Sequence, residues 1–336
     1  MAYNVPNVAS RYYDDLVAQL PSLEGKSFVV TGTTSGTGKV AAVTFAQAGA
    51  QVLMLNRPSA RADAIQARLE ERFGAGSVRT LACDLQSFAS VREAASQVRD
   101  VCAQAGVYAL VNNAGVMAMP DEATGDGFDV QMQTNHLSHF LLTKELFPLL
   151  EQGAKVHGDA RIVNHSSIAR KMVRSLEGRY LERRGGDLGG NGVNFLPSGP
   201  RWRRYGQTKL ANAAFTAALH HRLQASSSPV KALVAHPGFA NTELQRTTDR
   251  AGGMAPGSSL LARFFSQSEE DGALGIISAA ALPDVRSGVF YGPGLGMMAA
   301  RGKAAPYALE AQYDNASTRE LLWAKSCEAI GEPFDL

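Results

Sequence analysis

The sequence predicts an α/β fold built on a doubly wound parallel sheet, and three observations carry that prediction. Short β-branched runs alternate with longer Ala-rich stretches of helical spacing along the 336 residues. The strand-like runs are apolar throughout rather than alternating, as strands covered on both faces require. A glycine-rich stretch, TGTTSGTGK (31–39), falls between the first such run and the first helical stretch. No repeat and no Gly/Ser linker divides the chain. A single domain over 25–336 is therefore expected, behind an N-terminal helical extension, 1–24.

Seven strands are predicted, at 27–31 (SFVVT), 52–55 (VLML), 78–83 (VRTLAC), 108–113 (YALVNN), 161–167 (RIVNHSS), 230–236 (VKALVAH) and 288–292 (GVFYG). Helices are expected from about 37 to 49, 59 to 73, 87 to 104, 129 to 150 and 205 to 224, where apolar residues recur at helical spacing. The result is a Rossmann-type, seven-stranded parallel sheet with helices on both faces. Two segments break the rhythm, 168–204 and 240–305, and read as insertions at the carboxyl edge of the sheet that form a substrate-binding region.

Composition narrows the function. A formal charge of +2 is too small to argue for a nucleic-acid or membrane-surface partner, although a short amphipathic segment could still associate with a surface. The start of the chain lacks the pattern of a signal peptide, and no apolar stretch is long enough to span a bilayer, so no integral membrane segment is expected. Three cysteines, Cys83, Cys102 and Cys327, form no CxxC spacing, which fits free thiols in the cytoplasm. His136 and His139 have a spacing metals can use, but no third ligand of matched spacing accompanies them. No metal is expected.

Gly32, Gly36 and Gly38 stand where a tight strand-to-helix turn brings backbone N–H groups onto a pyrophosphate at the helix N-terminus. A plain glycine turn is the alternative. In order along the chain come TGTTSGTG, CDL (83–85), NNAG (112–115), QTNHLSHFLLT (133–143), RIVNHSS, YGQTK (205–209), HPGFANT (236–242) and LLWAKS (321–326). On these motifs the chain resembles the short-chain dehydrogenase/reductase superfamily, within it the retinol dehydrogenase-like and WW-domain oxidoreductase-like branch. The resemblance runs from about residue 24 to the C-terminus.

It implies a nicotinamide dinucleotide seated on Gly32, Thr34, Ser35, Gly36, Thr37 and Gly38, with Asp84 and Leu85 at the adenine and Asn113, Ala114 and Gly115 alongside. Asp84 could instead cap the helix starting near Ser87. Pro237, Gly238 and Thr242 would meet the nicotinamide carboxamide. At the end of the second strand, 18 residues after Gly38, an NAD-selecting site would place a carboxylate on the ribose. Asn56 is there instead, followed by Arg57, a planar cation suited to a 2′-phosphate. NADP(H) is expected over NAD(H).

The chemistry centres on Tyr205 and Lys209, four apart on one helix face. A phenol near its ordinary pKa of about 10 is a poor base at neutrality, and an adjacent ammonium favours its ionised form. By resemblance Tyr205 is the acid/base, Lys209 its tuner and a ribose ligand, Ser167 the group that orients the substrate oxygen, and Asn135 part of a water relay to Lys209. Ser166 rivals Ser167. His165 departs from the family, which has a small apolar residue at that position.

Nine Lys or Arg against Glu177, Glu182 and Asp187 give segment 168–204 a net charge of +6. It reads as a solvated loop, or as a surface that steers an anionic substrate or acidic partner. Met254, Leu260, Leu261, Phe264 and Phe265 could close an apolar lid over a bulky substrate. The expected function is an NADP(H)-dependent carbonyl reductase interconverting a hydrophobic ketone or aldehyde and its alcohol. A C=C reductase and a catalytically silent NADP-sensing protein are the alternatives. Homo-oligomers would pair through the helices holding Asn135 and Tyr205.

Overall fold

A computed structural model describes residues 9–194, 198–239, 243–253, 267–293 and 301–336. Thr242 and the five lid residues named above lie outside them. The sheet contains β1 (Ser27–Thr31), β2 (Gln51–Asn56), β3 (Val78–Ala82), β4 (Ala109–Asn112), β5 (Ala160–His165), β6 (Val230–Ala235), β7 (Val289–Pro293) and β8 (Ala304–Ala308), in the order β3-β2-β1-β4-β5-β6-β7-β8. All seven expected strands are present and parallel. β8 was not expected. It pairs antiparallel with β7, from Val289↔Ala308 to Pro293↔Ala304, and adds an eighth strand at the edge.

Helices cover both faces. On one lie α1 (Tyr13–Val17), α2 (Gly36–Gln47), α3 (Ala60–Phe73) and α9 (Glu269–Ala281), packed around Phe28, Met54 and Leu233, while α8 (Glu243–Arg250) borders the site. On the other lie α4 (Phe88–Cys102), α6 (Ser138–His157), α7 (Pro200–Ala225) and α10 (Ala316–Ile330), around Leu53, Leu110 and Ile162. The outward-facing apolar residues of α6 and α7 are taken up by the C-terminal segment. Trp323 meets Phe140 at 5.2 Å and Phe215 at 6.1 Å, and Phe334 meets Phe140 at 5.5 Å and Phe147 at 5.8 Å. These are the helices through which an oligomer was expected to pair.

Two features position the site. From β1 the chain winds outward to β3 and then returns to β4, so β1 and β4 flank a switch point whose carboxyl end opens into a crevice. The second feature is a π-helical turn, Gln133–Leu137, between the short α5 (Val130–Met132) and α6. Single π turns inside α-helices mark functional sites more often than chance, and this one carries Asn135.

The basic segment is not simply a solvated loop. Arg204, 0% exposed, lies 3.5 Å from Asp121 and 3.2 Å from Asp129 and donates to the carbonyls of Gly190 (2.9 Å) and Met119 (3.1 Å). Arg201 donates to the carbonyls of Asn191, Ala118 and Ala251. Arg170 is buried against Glu310. Guanidinium groups have five donors to distribute, and here main-chain carbonyls and carboxylates take up several of them. Arg170 lines the cavity, Arg201 and Arg204 tie the segment to the neighbouring loops, and Arg174 and Arg203 of the same segment remain exposed.

Candidate active site

A cavity of about 1460 Å³ opens at the carboxyl ends of β1, β4 and β5, running from the glycine turn to Ser167, Tyr205 and Lys209. It begins where β1 ends. Gly32 and Gly36 have φ of +71° and +59°, left-handed conformations that other residues adopt at a cost. Ser35 precedes α2 in extended conformation and its side chain makes no capping hydrogen bond, so the first N–H groups of α2 have no side-chain acceptor from it. Those are the donors a pyrophosphate needs.

Asn113 ties this turn to the neighbouring strands. Its Nδ2 donates to the carbonyls of Thr31 (3.0 Å) and Gly32 (3.2 Å), and its Oδ1 accepts from Thr37 Oγ1 at 2.9 Å. His165 Nδ1 lies 2.9 Å from that same Oδ1 and must be the protonated nitrogen. Its Nε2 lone pair is buried without a partner. The Thr31 hydroxyl accepts from the N–H groups of Asn113 and Ala114, both at 3.0 Å. It donates in turn to His139 Nε2, because His139 Nδ1 is committed to the Asn135 carbonyl.

Asn56 lines the cavity and also holds the turn. Its Oδ1 accepts from Thr33 N and its Nδ2 donates to Thr33 Oγ1, both at 2.8 Å, so it braces the turn from below. Arg57, next to it, is exposed at the cavity wall with Arg61, and neither has a carboxylate partner among the described residues. Asp84 also lines the cavity. Ser87, not Asp84, caps α4, accepting from Ser90 N, while Asp84 Oδ1 accepts from Gln86 N at 3.0 Å. Leu85, Gly115, Pro237 and Gly238 lie on the same wall.

Pro200 opens α7, and five residues further on the helix presents Tyr205. Lys209 Nζ sits 5.7 Å from the centre of the Tyr205 ring and donates to the His165 carbonyl at 2.9 Å. Burial pushes the Tyr205 phenol up to about 12, partly offset by the nearby Ser167 hydroxyl. Burial also brings Lys209 down to about 8. The rival serines separate cleanly. Ser166 spends its hydroxyl on the Lys209 carbonyl at 2.7 Å, while the Ser167 hydroxyl donates to no carbonyl among the described residues and lines the cavity with Tyr205.

Asn135 is fully buried. It accepts from Val116 N at 2.8 Å and donates to Val116 O and Thr208 Oγ1, both at 2.9 Å. Its amide is thereby committed to protein groups and braces the cavity wall against α7. A Cβ at Gly115 would lie 3.0 Å from Asn135 Oδ1 and 3.5 Å from Lys209 Nζ, so glycine keeps the space between them open. Sequence reasoning missed Thr31, Thr33 and Thr208. Each is a small hydroxyl whose role depends on a partner distant in the chain, and nothing in their own spacing marks them.

The buried histidines have a consequence for stability. Burial holds His136, His165 and His236 down to about 3 and His139 to about 4, against an ordinary value of 6.5. In the unfolded chain they take up protons below about pH 6.5, so the unfolded state binds more protons and stability falls as pH falls. Each contributes about 1.4 kcal/mol per pH unit until its folded pKa is reached. Urea unfolding between pH 7 and 4.5 is expected to show steeply declining stability. A flat profile would contradict the neutral, buried assignment.

A glycine turn with uncapped helix N–H groups at one end of the crevice, and a tyrosine, a serine and a lysine at the other, match the layout of a nicotinamide-dependent oxidoreductase. The comparisons agree. A family model described as short chain dehydrogenase matches residues 26–181. Polyprenol dehydrogenase of Homo sapiens is 30% identical over 90% of this chain and 84% of its own length. Retinol dehydrogenase 13 of Homo sapiens is 34% identical over 68% of this chain, a match spanning 62% of that protein, less than two thirds of it. The crystal structure of an uncharacterized protein from Mycobacterium paratuberculosis superposes with a TM-score of 0.71 at 33% identity, covering 95% of this chain and 98% of that one. The chain belongs to the short-chain dehydrogenase/reductase superfamily, in its retinol dehydrogenase-like branch.

Proposed function

We propose that this protein is an NADP(H)-dependent oxidoreductase that interconverts a hydrophobic ketone or aldehyde and its alcohol, with Tyr205 as the acid/base. The observation that carries the reading is that Tyr205, Ser167 and Lys209 line the same cavity that reaches the glycine turn. The dinucleotide, when bound, supplies or takes up the hydride. The turn from Gly32 to Gly38 would hold its phosphates, and Lys209 its ribose.

Ser167 offers its hydroxyl to the carbonyl oxygen, and Tyr205, protonated near neutrality with a pKa of about 12, donates its proton as that oxygen becomes a hydroxyl. In the reverse direction the phenolate takes the proton back. The Lys209 ammonium supports that form through charge. Met117, Met172, Trp202, Phe239, Leu244 and Tyr307 give the far end of the cavity an apolar lining, which suits a hydrophobic substrate. An intact proton-transfer set argues against a silent sensor. Free Cys83 and Cys102, both buried, fit a cytoplasmic setting.

NADPH oxidation with retinal, decanal, cyclohexanone and cyclohexenone tests the reaction class. Consumption with the first three supports carbonyl reduction. Turnover of cyclohexenone alone, giving the saturated ketone, would replace that reading with C=C reduction.

The cofactor assignment rests on Arg57 and Arg61 facing the cavity without a carboxylate at the end of β2. Arg57→Ala is expected to lower kcat/KM for NADPH by about 10- to 100-fold and leave that for NADH within about threefold, the loss of a charge-assisted phosphate contact. Equal losses with both cofactors would rule out a 2′-phosphate role.

A further inference from the structure

We infer that Arg170 and Glu310 form a positioning pair for Ser167, through which the C-terminal wall of the cavity controls the alignment of the serine beside Tyr205. The inference rests on the role proposed for Ser167 and extends it to residues outside the motifs of the sequence.

The geometry is closed on every side. Ser167 follows β5 with extended backbone, φ −156° and ψ 160°, and starts the 3₁₀ turn Ile168–Met172. Its hydroxyl accepts from Ala169 N at 3.2 Å. Its carbonyl accepts twice from Arg170, from the main-chain N–H and from Nη1, both at 3.1 Å. The remaining edge of the guanidinium grips Glu310, Nε to Oε2 at 3.2 Å and Nη2 to Oε1 at 2.8 Å. That two-point fork fixes orientation as well as distance. Its plane lies 4.4 Å from the centre of the Phe290 ring on β7, and Tyr307 of β8 stacks on that ring at 4.8 Å.

Arg170 thus has one face on an aromatic ring, one edge on a carboxylate and one nitrogen on the serine carbonyl. Its side chain is 2% exposed, so it serves no solvent-facing purpose. A second tie runs parallel to it, since Gln312 Nε2 donates to the Val173 carbonyl just beyond the turn. Arg170, Glu310 and Tyr307 line the same cavity as Ser167 and Tyr205. Loosening the fork frees the serine carbonyl and with it the turn whose first N–H holds the serine hydroxyl. Ser167 then loses its fixed place in the cavity wall it shares with Tyr205.

A buried ion pair also contributes to folding, so the test must separate alignment from stability. Arg170→Gln and Glu310→Gln are made in the wild-type chain and again on Ser167→Ala, and kcat, KM, the NADPH dissociation constant and Tm are measured with the fastest carbonyl of the panel above. Residual rates in the serine variant are followed at high enzyme concentration. If the pair acts through Ser167, each substitution lowers kcat by about 100-fold in the wild-type chain, the scale of a misplaced reacting group. Each then costs less than about threefold once the serine hydroxyl is gone, because effects through one group do not add. NADPH affinity stays within about twofold in all variants.

Equal losses in both backgrounds, or an unchanged kcat in the wild-type background, would overturn the pairing and leave the function of Ser167 standing. A Ser167→Ala protein with wild-type kcat would overturn both. Should Arg170→Gln fail to fold, Glu310→Gln keeps the volume and one acceptor oxygen and decides alone.

Discussion

Tyr205→Phe is expected to reduce kcat by about 10³-fold or more and to leave the NADPH dissociation constant within about twofold. The two rings have nearly the same shape, so the packing around Tyr205, including its edge-on contact with Trp202 at 5.9 Å, survives. Only the hydroxyl near Ser167 is lost. Without it the nascent alkoxide has no proton donor in its place, because Ser166 is bonded to the Lys209 carbonyl and Lys209 Nζ to the His165 carbonyl. Turnover assays with the panel carbonyl and fluorescence titration of NADPH together give the answer. Loss of binding in parallel with rate would mean that Tyr205 is a structural residue, and a retained rate would remove it from the chemistry.

Gly38→Ala has the second large effect. A Cβ there would sit 2.3 Å from Asn113 Nδ2 and 2.3 Å from the Gly32 carbonyl, far inside contact distance. Neither neighbour can retreat cheaply. The carbonyl is main chain, and the Asn113 amide is fixed by Thr31, Gly32, Thr37 and His165. Relief must come from moving the turn against α2, at about 3 kcal/mol. NADPH affinity should fall by more than 100-fold, because the helix N-terminus and the turn are what hold the phosphates. Gly125→Ala, where nothing lies within 4 Å, is the control and should change stability by less than about 0.5 kcal/mol. A Gly38→Ala protein that binds NADPH as well as wild type would mean that the cofactor does not use this turn.

Much of the architecture could be read from the chain because its signals are local. Continuous apolar runs such as FVV and ALV announce strands buried on both faces, and three glycines between a strand and a helix announce a turn with little room. The pairing of Tyr205 with Lys209 was legible for the same reason, lying within one helical turn. β8 was not. Its residues, AAPYA, carry one proline and no β-branched side chain, and only the antiparallel register with β7 makes a strand of them. The buried arginines were illegible too. Charge counts treat Arg170 and Arg204 as solvated, and the partners that permit their burial, Glu310, Asp121 and Asp129, stand up to 140 positions away. Asn56 was located correctly, but its commitment to Thr33 depends on how the first turn folds back over β2.

The π turn at Gln133–Leu137 makes the length of this stretch as constrained as its composition. A wider turn takes one residue more than an α turn would, so it sets the angular phase between Asn135 and the twenty-residue α6 behind it. Removing any one residue between 133 and 137 would regularise the winding and leave α6 in phase with the chain before it, but it would abolish the wide turn that carries Asn135. Asn135 would then lose its fixed reach to Val116 and Thr208 while Leu141, Leu142 and Leu146 stay in the core. Point replacement and single-residue deletion are therefore unequal insults here, and functional descendants of this chain should vary in side chain within the segment but not in its number of residues.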